Sequence, residues 1–155
     1  MKTIKVKKGQ ILQRKGDVNT SVYHVKSGLL RTYSIDQKGK EHIYMFAPEG
    51  WIIVDSVLAG NAGELFIDAL EDSVLGKREK DISAEGNSEK FINRLIVLQK
   101  RIIMLMSATA IERYEHFLNT YPDIVQRVPQ RMIASYLGIT PEALSTVKRN
   151  RFQRK

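Results

Sequence analysis

Short segments in which apolar and polar residues alternate make up the chain as far as Asp81. Polar turns that contain glycine separate these segments, for example Lys15-Gly16-Asp17 and Ser27-Gly28. An alternation with a period of two residues is typical of half-buried β-strands, and many short strands at this spacing predict a β-sandwich or jelly roll. The predicted strands are Ile4–Val6, Ile11–Gln13, Val22–Lys26, Leu29–Ile35, His42–Phe46, Phe66–Leu70 and Val74–Arg78.

The apolar period changes to that of a helix after Ser88, which is placed to cap a helix beginning at Glu89. No glycine or proline occurs between Glu89 and Glu115, so we predict one long helix there, and a further helical segment from about Ile111 to Asn119 that Tyr121-Pro122 ends. The long helix carries two apolar stripes, and because a surface helix needs only one apolar face, two stripes predict burial on two sides. One side would cover the β-region. The other would pair with a second copy in a two-fold dimer, unless the helix is buried wholly inside one monomer. The predicted dimer-interface residues are Leu95, Leu98, Ile102, Ile103, Leu105 and Met106.

Two short helices joined by a tight turn are predicted near the C-terminus, at Gln130–Leu137 and Pro141–Arg149. Gly138 can take the positive φ of the turn, and Thr140 can cap the second helix. This spacing is that of a helix-turn-helix, whose second helix enters the major groove of DNA, although a plain helical hairpin would share some of these features. The predicted DNA-binding residues are Gln130, Arg131, Thr140, Pro141, Glu142, Ser145, Thr146, Lys148, Arg149 and Arg151.

The net charge of +8 is concentrated in the second half of the chain. Residues 1–87 contain 13 Lys and Arg against 12 Asp and Glu, whereas residues 88–155 contain 12 against 5. Residues 124–155 hold seven basic residues and a single acid, Glu142. A localised basic region of this kind indicates a nucleic-acid partner, and a solvated basic tail is the alternative.

Several classes of chemistry find no support in the sequence. The chain has no cysteine, which removes disulfides, thiolate metal sites and cysteine nucleophiles and fits a reducing cytoplasm. The three histidines are scattered, and no catalytic-triad spacing, P-loop or dinucleotide fingerprint occurs. Charged residues interrupt the most apolar stretch, Leu95 to Ile111, and the N-terminus lacks a secretory signal. We therefore expect a cytoplasmic protein without enzymatic activity, metal, cofactor or membrane span.

The motifs of the chain together resemble the Crp/Fnr superfamily of bacterial transcription regulators. In the β-region the resemblance rests on Val25-Lys-Ser-Gly-Leu-Leu-Arg31, Asp36-Gln-Lys-Gly-Lys-Glu41 and Ala69-Leu-Glu-Asp-Ser73. Near the C-terminus it rests on Gly138-Ile-Thr-Pro-Glu142, in which Glu142 matches a family residue that contacts a cytosine amino group.

The resemblance implies an α+β fold in three parts. A cyclic-nucleotide-binding-like β-roll would span residues 1–87, a long dimerisation helix with a following helix residues 88–120, and a helix-turn-helix residues 121–155. It implies double-stranded DNA and a second copy of the chain as partners. RNA polymerase and an unidentified small-molecule effector are further candidate partners.

The effector pocket departs from the family pattern. Nucleotide-binding members carry Gly-Glu-Leu followed by an arginine, whereas this chain has Val54, Asp55 and Ser56, with Gly63 near the arginine position. No lysine or arginine occurs from Ser56 to Leu70. A buried cyclic phosphate without a cation would be costly, so we predict a degenerate pocket that does not bind cyclic AMP.

The DNA-binding part also departs from the family. Thr146 stands where members often have arginine, and the end of the chain at Lys155 leads us to expect a short or absent β-wing. The N-terminal helical segment common in the family is likewise expected to be missing. These departures leave open an alternative function: a degenerate ligand-sensing or protein-interaction module without productive DNA binding.

Overall fold

The computed structural model describes residues 1–18, 21–55, 60–80 and 88–153, except for the side chains of residues 88–91, 93, 94 and 152. The chain forms two compact units, Met1–Ser83 and Ala84–Lys155. The described strands all lie in the first unit and the described helices all lie in the second. A β-region followed by helices confirms the predicted fold class at that level. No helix of the described residues is long and apolar enough to cross a membrane.

The first unit is built from two four-stranded antiparallel sheets, ordered β1-β8-β3-β6 and β2-β7-β4-β5. Each predicted strand is present to within two residues of its bounds. The alternation did not indicate β6, because two residues are too few to show a period. The strands are β1 (Lys2–Val6), β2 (Ile11–Gln13), β3 (Ser21–Ser27), β4 (Leu30–Ile35), β5 (Glu41–Ala47), β6 (Ile52–Ile53), β7 (Phe66–Ala69) and β8 (Ser73–Glu79).

One apolar core contains side chains from both sheets. Because successive residues of a strand point to opposite faces, Tyr23 and Val25 of β3 enter the core while His24 between them does not. Leu75 lies opposite Val25 in the first sheet, and Ile67 and Met45 belong to the second. The core therefore explains the hydrophobic alternation along the first half of the chain.

The turn between β3 and β4 requires a glycine. Gly28 has φ +93°, and an added Cβ there would overlap the Ser73 side chain and lie 2.8 Å from the carbonyl oxygen of Asp72. The backbone N–H of Gly28 donates to a carboxylate oxygen of Glu49 at 2.9 Å. The turn is therefore fixed by a close approach to the start of β8 as well as by its dihedral angle.

The helices of the second unit depart from prediction at one important point. The end predicted for the long helix, Glu115, is wrong, because α1 ends at Ser107 and α2 begins at Ala110; the further segment predicted from about Ile111 to Asn119 is present as α2. Thr109 and Glu112 form a capping box: the Thr109 backbone N–H donates to the Glu112 carboxylate at 2.7 Å, and the Glu112 N–H donates to the Thr109 hydroxyl. This local start signal outweighs the continuous apolar pattern. The helices are α1 (Ser88–Ser107), α2 (Ala110–Thr120), α3 (Ile124–Arg127), α4 (Gln130–Leu137) and α5 (Pro141–Gln153).

Helices α2, α4 and α5 pack against one another around a small aromatic core. The rings of Phe117, Tyr121 and Tyr136 lie 5.4–5.5 Å apart in tilted and edge-on arrangements. Leu137 and Leu144 are fully buried on α4 and α5. Aromatic pairs at this separation stabilise the folded unit by more than the area that they bury. Helices α2 and α4 therefore form a folded support for α5.

A buried ion cluster lies on the β4–β7 pair of the roll. Arg31 is 6% exposed and donates to both carboxylate oxygens of Asp68, directly opposite on β7, at 2.8 and 2.9 Å. A third bond of 2.6 Å joins it to Glu41, and its guanidinium lies 4.1 Å from the centre of the Tyr33 ring. Burial opposes the charged form of Arg31, but the bonds and charges of Asp68 and Glu41 outweigh it and raise its pKa.

Asp68→Asn should destabilise the roll far more than Glu41→Gln. Asp68 is buried, and removing one partner of a buried ion pair typically costs about 3–5 kcal/mol in the free energy of unfolding. The Glu41 side chain is 45% exposed, so its loss should cost about 1 kcal/mol or less. Urea unfolding of both variants measures the difference, and equal effects would contradict a dominant role for the buried pair.

Candidate nucleic-acid interface

The turn between α4 and α5 is set by backbone hydrogen bonds at the end of α4. Gly138 adopts the left-handed conformation, with φ 66° and ψ 31°. Its N–H donates to the Ser135 carbonyl at 3.2 Å, and the N–H of Ile139 donates to the Ala134 carbonyl at 3.1 Å. This pair of bonds is the Schellman pattern that ends many helices at glycine.

Helix α5 begins at the position that the sequence indicates. The Thr140 hydroxyl accepts a bond of 3.2 Å from the Ala143 N–H, and Pro141 occupies the first helical position. The helix then continues four residues beyond the predicted end at Arg149, to Gln153. Cap and turn together fix the direction in which α5 leaves α4.

One face of α5 is exposed between Pro141 and Arg149. Leu144 and Val147 are buried, which points the opposite side of the helix outward. At 100° per residue the exposed positions fall within an arc of roughly 140°. These exposed residues are Pro141, Glu142, Ser145, Thr146 and Arg149. They are five of the residues predicted to contact DNA, and the fold brings them onto one surface.

The exposed face of α5 carries both acceptors and a donor. The N–H of Glu142 itself and the Thr140 hydroxyl bond the Glu142 carboxylate and hold its pKa below the ordinary value, so it is an ionised acceptor at neutral pH. The hydroxyls of Ser145 and Thr146 donate back to the carbonyls of Pro141 and Glu142 at 3.0 and 3.1 Å. The oxygens of these hydroxyls keep lone pairs that can accept hydrogen bonds, and Arg149 is exposed on the same face of α5.

The remaining predicted contact residues are placed differently from one another. Gln130 and Arg131 are exposed in the first turn of α4, and Lys148 is half-buried. Arg151 is half-buried on the face of α5 that carries Leu144 and Val147. Burial raises the pKa of Tyr114, and the charge of Arg151 acts against that shift, which places Arg151 close to α2. Arg151 is thus separated from the exposed face.

An exposed apolar surface runs along α1. Ile103 is 54% exposed and Met106 81% exposed. At 100° per residue the exposed apolar side chains, apart from Val97, fall within an arc of roughly 120°. Leu98 and Leu105, also predicted at the dimer interface, are half-buried on the neighbouring side. We define the exposed α1 stripe as Ile92, Leu95, Ile96, Ile102, Ile103 and Met106.

Sequence reasoning missed two arginines that join α1 and α2 to the end of α4. Arg101 donates to the Tyr136 carbonyl at 3.2 Å, and Arg113 donates to the Leu137 carbonyl at the same distance. Neither belongs to a motif with a recognisable spacing, because the α4 carbonyls that Arg101 and Arg113 contact are 35 and 24 residues away in the sequence, respectively. Only the folded unit reveals the pairing.

The predicted effector-pocket residues take part in the hydrogen bonding of the roll itself. Asp55 is 3% exposed, and one carboxylate oxygen accepts from Gln13 Nε2 and from the N–H groups of Glu64 and Leu65 at 2.7–2.9 Å. Gly63 is buried and its N–H donates to the Asp17 carbonyl at 2.8 Å. Val54 is half-buried, and Ser56 lies outside the described residues. Asp55 thus holds in place the two residues that precede β7, Glu64 and Leu65.

Two polar atoms in the interior of the roll have no hydrogen-bond partner among the described residues, Gln13 Oε1 and Thr32 Oγ1. Both residues lie opposite Ile67 in the sheet, so they flank it in one cross-strand row. A buried acceptor without a donor costs about 1–3 kcal/mol, so a small polar molecule would gain by satisfying it. No group of three or more metal-binding side chains occurs in the part of the chain that the structure describes.

Comparison with known proteins identifies the first unit. Residues 3–82 match the family model of the cyclic nucleotide-binding domain. The chain is 28% identical over 170 residues to the fumarate and nitrate reduction regulatory protein of Vibrio cholerae, covering 96% of this chain and 68% of that one. It is 27% identical to the regulatory protein HlyX of Actinobacillus pleuropneumoniae, covering 96% and 70%. These relatives are regulators and not enzymes, in agreement with the expected absence of enzymatic activity.

Solved structures share the fold over nearly the whole chain. FixK2 from Bradyrhizobium japonicum superposes with a TM-score of 0.81 at 19% identity, covering 99% of this chain and 85% of that one. A transcriptional regulator of the CRP/FNR family from Thermus thermophilus gives 0.71 at 18% identity, covering 94% and 83%. The resemblance drawn from the sequence is confirmed: the chain belongs to the cyclic nucleotide-binding domain family and, with these regulators, to the Crp/Fnr superfamily of bacterial transcription regulators.

Proposed function

We propose that the protein is a sequence-specific DNA-binding regulator that acts as a homodimer, with α4 and α5 as its helix-turn-helix. The observation that carries the proposal is the exposed face of α5, where Glu142, Ser145, Thr146 and Arg149 share one surface. A carboxylate suits the amino group of cytosine, and arginine suits guanine or phosphate. The buried side of the same helix is anchored through Leu144 and Val147, which gives the contact surface a rigid support.

Electrostatics support a nucleic-acid partner for this helix pair. From Gln130 to Gln153 the only acid is Glu142, and Arg131 and Arg149 are exposed. Each phosphate that a basic residue neutralises releases condensed counterion, which favours binding without regard to sequence. In the proposal these two arginines contact phosphates, and Glu142 and Ser145 contact base edges.

The exposed α1 stripe supports the homodimer. A contiguous apolar stripe on a surface helix marks a contact with another apolar surface, and a second copy of the helix supplies a matching one. Two-fold pairing would present two copies of α5, each suited to one half-site of an inverted repeat, with the half-sites about one helical turn apart.

The assignment of parts and partners belongs to the same proposal. Residues 1–87 form the effector roll, residues 88–120 the dimerisation segment and residues 121–155 the DNA-binding region of a cytoplasmic regulator. An unidentified small-molecule effector and RNA polymerase are its further partners. The similarity to relatives named as regulators extends over 96% of the chain, and so into each of these three parts.

Ile103→Asp should convert the dimer to a monomer without unfolding it. Ile103 is exposed within one chain, and burying an isoleucine between two copies contributes roughly 1.5–3 kcal/mol, counted twice by symmetry. Light scattering at micromolar concentration measures the mass. The matched control is Ile52→Asp in β6, which replaces an equally exposed isoleucine (56%) and should remain dimeric. A monomeric wild-type protein would refute the homodimer.

Changes on α5 should separate phosphate contacts from base contacts. Arg149→Ala should weaken binding about equally on a selected site and on random DNA, and lower the salt slope by about one unit. Glu142→Ala should instead change which sequence is preferred, by about 1–3 kcal/mol of discrimination. Salt titrations of fluorescence anisotropy measure both quantities.

Arg151→Gln is the control for charge, because Arg151 lies on the same helix but on its half-buried face. We expect the salt slope of this variant to stay at the wild-type value. If Arg149→Ala left the slope unchanged and Glu142→Ala left the preference unchanged, α5 would not be the DNA-contacting helix. A wild-type protein that bound no DNA would favour a degenerate sensing or interaction module.

Cyclic AMP and cyclic GMP should not bind the roll at physiological levels. No lysine or arginine occurs from Ser56 to Leu70, and the buried Arg31 is held by two carboxylates. A cyclic phosphate would have to displace Asp68 to reach that cation. Titration calorimetry should show no saturable heat up to about 1 mM ligand, and a dissociation constant near 1 µM would overturn the argument.

A further inference from the structure

The last carbonyls of α4 accept hydrogen bonds from two other helices. Backbone bonds from Gly138 and Ile139 satisfy Ser135 and Ala134, as described above. The next two carbonyls, of Tyr136 and Leu137, accept from the guanidinium groups of Arg101 and Arg113 at 3.2 Å each. Helix α4 has no basic residue in its own last turn, so both positive charges at its negative end come from other helices.

Arg113 joins three segments of the second unit at one point. Its Nε donates to the Ala108 carbonyl at 3.0 Å, and Nη2 donates to the Leu105 carbonyl at 2.7 Å. Its Nη1 reaches the Leu137 carbonyl on α4. A planar guanidinium with donors on separate nitrogens can hold these three acceptors at once, whereas a lysine ammonium offers a single nitrogen. The end of α1 and the end of α4 are thereby held to one side chain of α2.

Arg101 makes a second connection, directly from α1. Its guanidinium lies 3.8 Å from the centre of the Tyr136 ring while it donates to the Tyr136 carbonyl. Tyr136 in turn contacts Phe117 and Tyr121 in the aromatic core. Arg101 lies outside the exposed α1 stripe, on the side that includes the half-buried Leu98 and Leu105. The stripe is thus free for a partner while this side is engaged with α4.

We propose that Arg101 and Arg113 are positioning residues that fix the orientation of the α4–α5 pair relative to α1. The inference rests on the proposed function, in which α1 pairs with its copy and α5 contacts DNA. In such a dimer the angle between α1 and α4 sets the distance between the two copies of α5. The two arginines therefore determine which separation of half-sites the protein prefers, although neither touches DNA.

The test compares variants of the full-length chain on three kinds of DNA: a single half-site, the best inverted repeat, and repeats with the half-sites moved closer or further apart. Arg113→Gln should bind the best repeat about tenfold more weakly, the effect of losing the charge-assisted hydrogen bond that connects Arg113 to the Leu137 carbonyl of α4. The affinities of this variant for repeats with different half-site separations should become more nearly equal. Binding to the single half-site, the salt slope and the dimer mass should stay at wild-type values.

Two further variants separate geometry from charge and from stability. Arg113→Lys keeps the charge but cannot hold three carbonyls, so it should resemble Arg113→Gln. Arg101→Gln should also flatten the spacing preference, and it carries the test if Arg113→Gln does not fold. Arg14→Gln, at an exposed arginine in the roll, should match the wild type.

The outcomes distinguish this inference from the proposed function. If the wild type prefers one separation and Arg113→Lys and Arg101→Gln keep that preference in full, the positioning role is refuted while DNA binding stands. A salt slope lower by one unit in Arg113→Gln would show a direct phosphate contact and refute it as well. If the wild type binds none of the three DNAs, the proposed function fails first.

Discussion

Backbone carbonyls at a helix end need donors, and the second unit is organised around meeting that need at the end of α4. The left-handed Gly138 turns the chain back so that two N–H groups satisfy Ala134 and Ser135. The two carbonyls that remain recruit Arg101 from α1 and Arg113 from α2. One local requirement thereby sets the direction of α5 and connects it to the helix with the exposed apolar stripe.

The interior of the roll holds a buried charge, and a buried charge also needs partners. Arg31 is buried, and two carboxylates neutralise it, so the cluster is complete without a ligand. Asp55, one of the residues predicted for the effector pocket, accepts three bonds, from Gln13 and from the backbone N–H groups of Glu64 and Leu65 just before β7. Among the described residues, Gln13 Oε1 and Thr32 Oγ1 are buried without a hydrogen-bond partner.

Local rules predicted the elements whose signals lie within a few residues. Gly138, Thr140 and Pro141 placed the α4–α5 turn correctly, and the alternation placed the strands from β1 to β8 except β6. The break at Thr109 was also a local signal, a threonine three residues before a glutamate, but the long apolar pattern concealed it. The half-buried position of Arg151 follows from α5 continuing past Arg149, which the sequence did not indicate.

The sequence by itself determined the β-region followed by helices, the superfamily and the residues of the exposed α5 face, because hydrophobic period, turn residues and caps act over short distances. Only the tertiary structure decided which distant groups the arginine side chains contact. Arg31 finds Asp68 across a strand pair 37 residues apart, and Arg113 finds Leu137 across 24. It also divided the apolar residues of α1 between an exposed stripe and a side facing α4, since burial depends on neighbours that are distant in the chain.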